Sequence, residues 1–199
     1  MAKKQVSDTF IKIISLSEKR NLIETDREIL SILKTLFSKK ENNSESLNAL
    51  ILERNTYHLG ILSYIVLAEA INSFRFIMEN VPNDILHIDD RYELKETVVF
   101  MATRYKKYNI LETILKFNPS LNLKNINGYT LLHIAINESV DPKIIKLLLD
   151  SGANPKIKNS QGQTPEDWAK AKVIGSYPPN VNDPINRDLL INYQDLPSF

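Results

Sequence analysis

An all-α chain, built as a row of stacked helical hairpins, is what the sequence predicts, and three observations predict it. The stretch "NGYTLLHIA", residues 127–135, returns as "QGQTPEDWA", residues 161–169, so that Gly128 and Gly162, Thr130 and Thr164, and Ala135 and Ala169 each lie 34 positions apart. Stepping back 33 positions from Thr130 reaches Thr97, which opens "TVVFMA" and adds a third row. A second apolar stretch of helical spacing follows each of the first two rows. Self-similarity at such a period marks a repeat architecture, in which one unit cannot bury its apolar face alone and its neighbours supply the rest of the core.

The elements follow in chain order. "SDTFIKIISL" predicts a first helix. In "TDREILSILKTLFSKK", Thr25 and Glu28 have the spacing of a capping box. Ile29, Leu30, Leu33, Leu36 and Phe37 fall on one helical face. "SKKENNSES" reads as a polar linker and "ESLNALILER" as a third helix. Residues 1–55 are therefore expected to form a helical cap over the apolar end of the row. Residues 56–91 read as a degenerate repeat. There Ser63 stands for the cap, Ala68 for the small packing residue, and Phe74, Ile77 and Met78 for the second-helix stripe.

Residues 92–172 carry the pattern most clearly. Thr97, Thr130 and Thr164 are expected as helix N-caps whose hydroxyls accept from orphan backbone N–H groups. Pro165 stands at the first helical position, where a missing N–H costs nothing. Gly128 and Gly162, two residues before their caps, suit a turn of positive φ, whereas Lys95 at that place in the earlier row predicts a distorted turn. "DPKIIKLLLDSGA" has Asp141 as N-cap and Pro142 next, then Ile144, Ile145, Leu147, Leu148 and Leu149, and Gly152 just past the end. "NILETILKFNPSLN" repeats the stripe with Ile110, Leu111, Ile114 and Leu115, and puts Asn118 in the place of the glycine. Residues 173–199 are expected as a closing segment with a short helix, "INRDLLINY".

With its Gly, Thr, His, Leu-Leu and Gly-Ala landmarks in register, "NGYTLLHIA…IIKLLLDSGANPKIKNSQGQTP" resembles the ankyrin repeat. The resemblance implies an all-α ankyrin-repeat solenoid of three to four units. It also implies a structural role for His133 within and between turns, and a concave surface of turn tips and first helices that binds a protein partner. The residues at those positions are Glu93, Leu94, Glu96, Arg104 and Tyr105; Ile126, Asn127, Tyr129, Asn137 and Glu138; and Ser160, Gln161, Gln163 and Lys172. Tyr105, Ile126 and Tyr129 are read either as interface anchors or as groups packed on the N-terminal helices or the C-terminal tail. Trp168 is read as core packing against that tail.

Composition bounds the rest. Twenty-five Lys and Arg nearly cancel 24 Asp and Glu, and each third of the chain is balanced, so nonspecific nucleic-acid binding is not expected. Cysteine is absent, which excludes a disulfide framework, a thiolate zinc site and a cysteine nucleophile and suits a reducing compartment. The apolar run "LGILSYIVLAEA" falls short of the about 20 residues of a membrane span. His58 and His87 have no second ligand at metal spacing. No catalytic constellation, phosphate loop or dinucleotide motif is present, so no catalytic residue, cofactor or metal is expected. Asp89 and Asp90, with Glu93 and Glu96, form an acidic group that would hold a cation, steer a basic partner or solvate a loop. "RYKKY", residues 104–108, interleaves cations and aromatics. The favoured reading is a monomeric, non-catalytic adaptor, inhibitor or scaffold in a cytoplasm. Family distribution and the Asn/Ile-rich composition point to an effector acting in a host cell. The alternative is an enzyme or toxin whose active part is the N-terminal helical region.

Overall fold

A computed structural model describes residues 2–17, 21–38, 50, 60–81, 86–92 and 95–173. Its helices are α1 (Ala2–Ser17), α2 (Leu22–Ser38), α3 (Ile61–Leu67), α4 (Ile71–Asn80), α5 (Val98–Arg104), α6 (Tyr108–Leu115), α7 (Leu131–Asn137), α8 (Pro142–Asp150) and α9 (Pro165–Val173). No strand occurs among the described residues. The linker, most of the third predicted helix and everything after Val173 lie outside them.

The helices pack in two rows. Helix α1 lies against α3, α3 against α5, α5 against α7, and α7 against α9; behind them α2 lies against α4 and α4 against α6. Each first helix also packs on its own second helix. The apolar stripes meet between the rows. Ile13, Ile29, Leu33, Ile65, Phe74, Ile77, Phe100, Ile110, Ile114, Leu131 and Leu148 are fully buried, each contributing about 1.5–3 kcal/mol. Helices α1 and α2 thus meet α3 and α4 as one repeat meets the next.

The α2–α4 contact is fixed by a carboxylate. Asp26, buried in α2, accepts the backbone N–H groups of Asn72 and Ser73 at 2.9 Å, the Asn72 Nδ2 at 2.9 Å and the Ser73 Oγ at 2.6 Å. Asn72 and Ser73 are in the first turn of α4, whose N–H groups have no intrahelical acceptor. Asp26 therefore caps a helix 46 residues away in sequence.

Two expected caps are corrected. Helix α2 begins at Leu22, not after Thr25. Asn21 Oδ1 accepts from Glu24 N at 3.3 Å while Asn21 Nδ2 donates to Glu24 Oε2 at 3.0 Å. Thr25 sits within the helix, and its buried hydroxyl has no partner among the described residues. Helix α3 is capped at Gly60, so Ser63 lies inside it and Ala68 is its C-cap. Counted from the caps, Ile65 takes the place of Ala102, Ala135 and Ala169.

The left-handed positions recur. Glu69 (φ 51°), Lys106 (φ 57°), Ser139 (φ 49°) and Gly152 (φ 97°) close α3, α5, α7 and α8. Each is followed by a residue whose N–H returns to the helix: Ala70 to Ile65 O, Lys107 to Ala102 O, Val140 to Ala135 O and Ala153 to Leu148 O. These are Schellman closures. Asn118 (φ 51°) ends the α6 segment as the glycine substitute expected.

Candidate protein-binding face

The turns before the first helices share one hydrogen-bond pattern. Tyr92 N–H donates to Glu96 O, Asn125 N–H to Tyr129 O, and Asn159 N–H to Gln163 O; Lys95, Gly128 and Gly162 N–H donate back to Tyr92 O, Asn125 O and Asn159 O. Gly128 and Gly162 have φ 78°, and Lys95 has φ 57°. At Tyr92, Lys95 and Glu96 the expected distortion is not seen: the lysine adopts the left-handed conformation that glycine takes elsewhere, against a local preference of about 1–2 kcal/mol. Asn125 Oδ1 accepts from Asn127 N and Tyr129 N, and Asn159 Oδ1 from Gln161 N and Gln163 N, so an Asx turn reinforces the two later copies.

The caps beyond these turns differ. Thr130 N–H and Oγ1 lie 3.2 and 2.8 Å from His133 Nδ1, closing a capping box. Thr164 N–H donates to Asp167 Oδ2 at 2.8 Å and Asp167 N–H to Thr164 Oγ1 at 3.1 Å, a second box. Thr97 has Phe100 at the corresponding place, and its buried hydroxyl has no partner among the described residues. The expected hydroxyl cap is absent there, and Phe100 offers the Thr97 hydroxyl no side-chain acceptor.

His133 is fully buried. Its Nε2 lies 3.0 Å from Gln163 O; a carbonyl only accepts, so Nε2 carries the proton and Nδ1 is the acceptor. The ring joins one repeat to the turn of the next, the structural role expected. Burial pushes its pKa below the ordinary value, and the Lys124 charge adds to this, against the Gln163 carbonyl.

The predicted face divides into tied and free residues. Arg104 donates through Nη2 and Nε to the Glu96 carboxylate and through Nη1 to Glu138 Oε1 at 2.7 Å, joining α5 to α7. Burial opposes its charge, but Glu96 and Glu138 hold its pKa above the usual value. Asn125 Nδ2 adds a 3.0 Å bond to buried Glu96, and Asn137 Nδ2 donates to Glu138 at 3.3 Å. Tyr129 is half-buried: its ring stacks on His133 at 6.0 Å and meets Trp168 edge-on at 4.8 Å. Tyr129 thus packs on the neighbouring repeat. Trp168 is buried as expected and meets Tyr129 and His133, with Nε1 donating to Gln163 Oε1 at 2.8 Å; the tail it was expected to pack against lies outside the described residues. Tyr105 (52% exposed) and Ile126 (57%) are open to solvent, as are Asn127, Ser160 and Gln161. Glu93, Leu94 and the Lys172 side chain lie outside the described residues.

The other candidate groups are engaged structurally. Asp89 Oδ1 accepts Ser120 N–H at 2.8 Å, and Asp90 Oδ2 accepts His87 N–H at 3.3 Å. With Glu96 turned to Arg104, the acidic group is spread over three separate jobs. Among the described residues no group of His, Asp and Glu could hold a metal ion. In residues 104–108, Arg104 is committed and Lys107 pairs with Glu69 at 3.0 Å. Tyr108 (38% exposed) flanks the same corner as Tyr105. Sequence reading left it off the face because it opens a second helix.

Hairpins of short helices with left-handed turns, stacked through a shared core, define a helical repeat protein. Residues 62–159 match the family model for ankyrin repeats, in three copies, and belong to the ankyrin-repeat family. The match begins inside the repeat that the sequence pattern leaves most degenerate. The chain is 29% identical over 103 residues to an ankyrin repeat protein of Borreliella burgdorferi, covering 51% of this chain and 24% of that one. It is 37% identical over 73 residues to an ankyrin repeat protein of fowlpox virus, covering 37% and 12%. It is 39% identical over 66 residues to ankyrin repeat protein 14 of vaccinia virus, covering 33% and 27%. The matched stretch thus spans no more than about a quarter of these relatives' own lengths. Ankyrin repeats are protein-interaction modules as a family, and no described helix is long and apolar enough to cross a membrane.

Proposed function

We propose that the chain is a non-catalytic protein-binding module, an adaptor, inhibitor or scaffold, that engages a protein partner on the turn tips and the exposed ends of the first helices. One observation carries this reading. Tyr105 and Ile126 are more than half exposed on a frame whose neighbouring polar groups, Glu96, Arg104, Asn125 and Glu138, are bonded to one another. A partner would meet a preformed surface and lose little free energy to ordering it. Large side chains of this kind are the usual anchors of an interface.

The module acts as a monomer in a cytoplasm on this reading. Its placement as an exported effector in a host cell draws on the sources of its relatives, a bacterium and two viruses. The enzyme or toxin reading calls for converging acid, His and Ser groups in the N-terminal region. An open groove of about 420 Å³ along α2 is lined, among the described residues, by Arg27, Leu30, Ser31, Lys34 and Thr35, with no carboxylate or histidine among these five.

The test is crosslinking capture by the intact chain and by a Tyr105→Ala/Ile126→Ser variant, read by mass spectrometry. Both side chains are exposed, so the variant should melt within about 0.5 kcal/mol of the native chain. Proteins enriched by the native chain should drop out with the variant; equal recovery by both would refute the face.

A further inference from the structure

Three cations that the Glu96–Arg104–Glu138 network does not use fall into one row. The turn bonds fix which residues are equivalent, because Tyr92, Asn125 and Asn159 make the same donation in successive repeats. The residue before each of them is a cation: Arg91, Lys124 and Lys158. All three are exposed, and none forms an ion pair among the described residues. Arg91 Nη1 donates to Lys124 O at 3.3 Å, so the first cation lies along the array against the second. Segments 116–130 and 151–164 hold four lysines and no Asp or Glu. Among the described residues, the acids beside the row each hold a loop or cap N–H group: Asp89 and Asp90 in the loop, and Asp167, near Lys158, at Thr164. Ile126 stands two residues beyond Lys124, exposed on the same loop.

We propose that this row docks an acidic, extended segment of a protein partner, with a carboxylate at every third residue meeting Arg91, Lys124 and Lys158 in turn. The proposal rests on the protein-binding reading above and adds the chemistry of the bound segment. Its basis is charge and spacing. Packed helices lie about 8–10 Å apart, which sets the step from one repeat to the next. Three residues of a polyproline-II segment cover about 9 Å and return the side chain to the same face, so a carboxylate at i, i+3 and i+6 keeps pace with the row while the residues between face solvent or Ile126. A nucleic-acid strand fits less well. Its charges come about every 3.4 Å along a stacked strand, and its single-stranded forms want aromatic stacking platforms. The aromatic group of this edge, Tyr129, is occupied by His133 and Trp168.

The experiment is selection of a random dodecapeptide display library on the full-length chain in low-salt buffer, repeated on a Lys124→Glu variant. Lys124 is exposed, so the variant should keep its circular-dichroism melt. The expected result is enrichment of acidic residues at three-residue spacing on the native chain, with Lys or Arg replacing the middle acid on the variant. A synthetic peptide of the native consensus should bind the variant at least about tenfold more weakly. Identical peptides from both proteins, peptides without acidic period, or no enrichment over the bare support would overturn the proposal. So would tighter binding of a labelled single-stranded oligonucleotide than of the consensus peptide. If the acidic period is missing while the selected peptides still fail on the Tyr105→Ala/Ile126→Ser variant, the row is wrong and the protein-binding face stands.

Discussion

The turn at residues 92–96 and the turn at residues 125–129 make the same backbone hydrogen bonds from different residues. Gly128 takes its positive φ freely, Asn125 braces the turn through its side chain, and His133 closes the cap beyond it. In the earlier copy Lys95 is held at φ 57°, Tyr92 stands in the place of the bracing asparagine, and Phe100 leaves the Thr97 hydroxyl without a partner among the described residues. The earlier turn therefore makes the same backbone bonds without the glycine, the asparagine and the histidine of the later one. The difference teaches that stacking dictates the conformation of a turn, and that the residues in it decide how much free energy is lost in adopting it.

Each part of that contrast can be broken. The largest effect is expected from Asp26→Ala, which removes the acceptor of four donors at the start of α4 and leaves buried N–H groups unsatisfied. A loss of about 3 kcal/mol in urea unfolding is expected. Gly128→Ala comes next. It must bear a positive φ, and an added Cβ would lie 2.0 Å from Ser160 Oγ and 2.8 Å from Ser160 N. We expect a loss of about 2–3 kcal/mol, against about 1 kcal/mol for Gly162→Ala, where a Cβ meets nothing within 4 Å. Equal losses at the two glycines would show that the close approach of the Ser160 turn is not a constraint.

Lys95→Gly should act in the opposite direction. It relieves the left-handed lysine and raises stability by roughly 0.5–1 kcal/mol, after the extra entropy of glycine in the unfolded chain is set against the gain. The smallest effect is that of pH. The folded pKa of His133 is depressed, so the unfolded chain takes up the proton first as pH falls. Its contribution is full above about pH 6.5 and is lost as pH drops toward the folded pKa. His133→Phe, which copies Phe100, should remove this part of the slope between pH 7 and 5 in unfolding experiments; an unchanged slope would assign it elsewhere.

Much of the fold was legible because repeats state their own alignment. The helices after Thr97, Thr130 and Thr164, the Asp141–Pro142 start, and the left-handed Gly128, Gly162, Gly152 and Asn118 all follow from period and side-chain chemistry. The misread places have physical reasons. Thr25–Glu28 and Asn21–Glu24 have the same capping spacing one turn apart, and only packing shows which one opens α2. The first repeat lies 37 positions before the second when counted from Gly60 to Thr97, so Ser63 and Ala68 were aligned on the wrong period. Lys95 carries no local signal for positive φ. Of the face, the exposure of Tyr105 and Ile126 agrees with their turn-tip and helix-end places. The burial of Tyr129 depends on Trp168, 39 residues on, which one repeat cannot announce. The row of Arg91, Lys124 and Lys158 was hidden by the overall charge balance and emerges only when the turns are aligned by their hydrogen bonds.

The most direct measurement is amide hydrogen exchange at the equivalent turn positions. If stacking sets the geometry, the N–H groups of Tyr92 and Lys95 should be protected to within about tenfold of those of Asn125 and Gly128. Exchange of Tyr92 and Lys95 at free-chain rates, beside slow exchange at Asn125 and Gly128, would mean that the motif residues themselves make the turn.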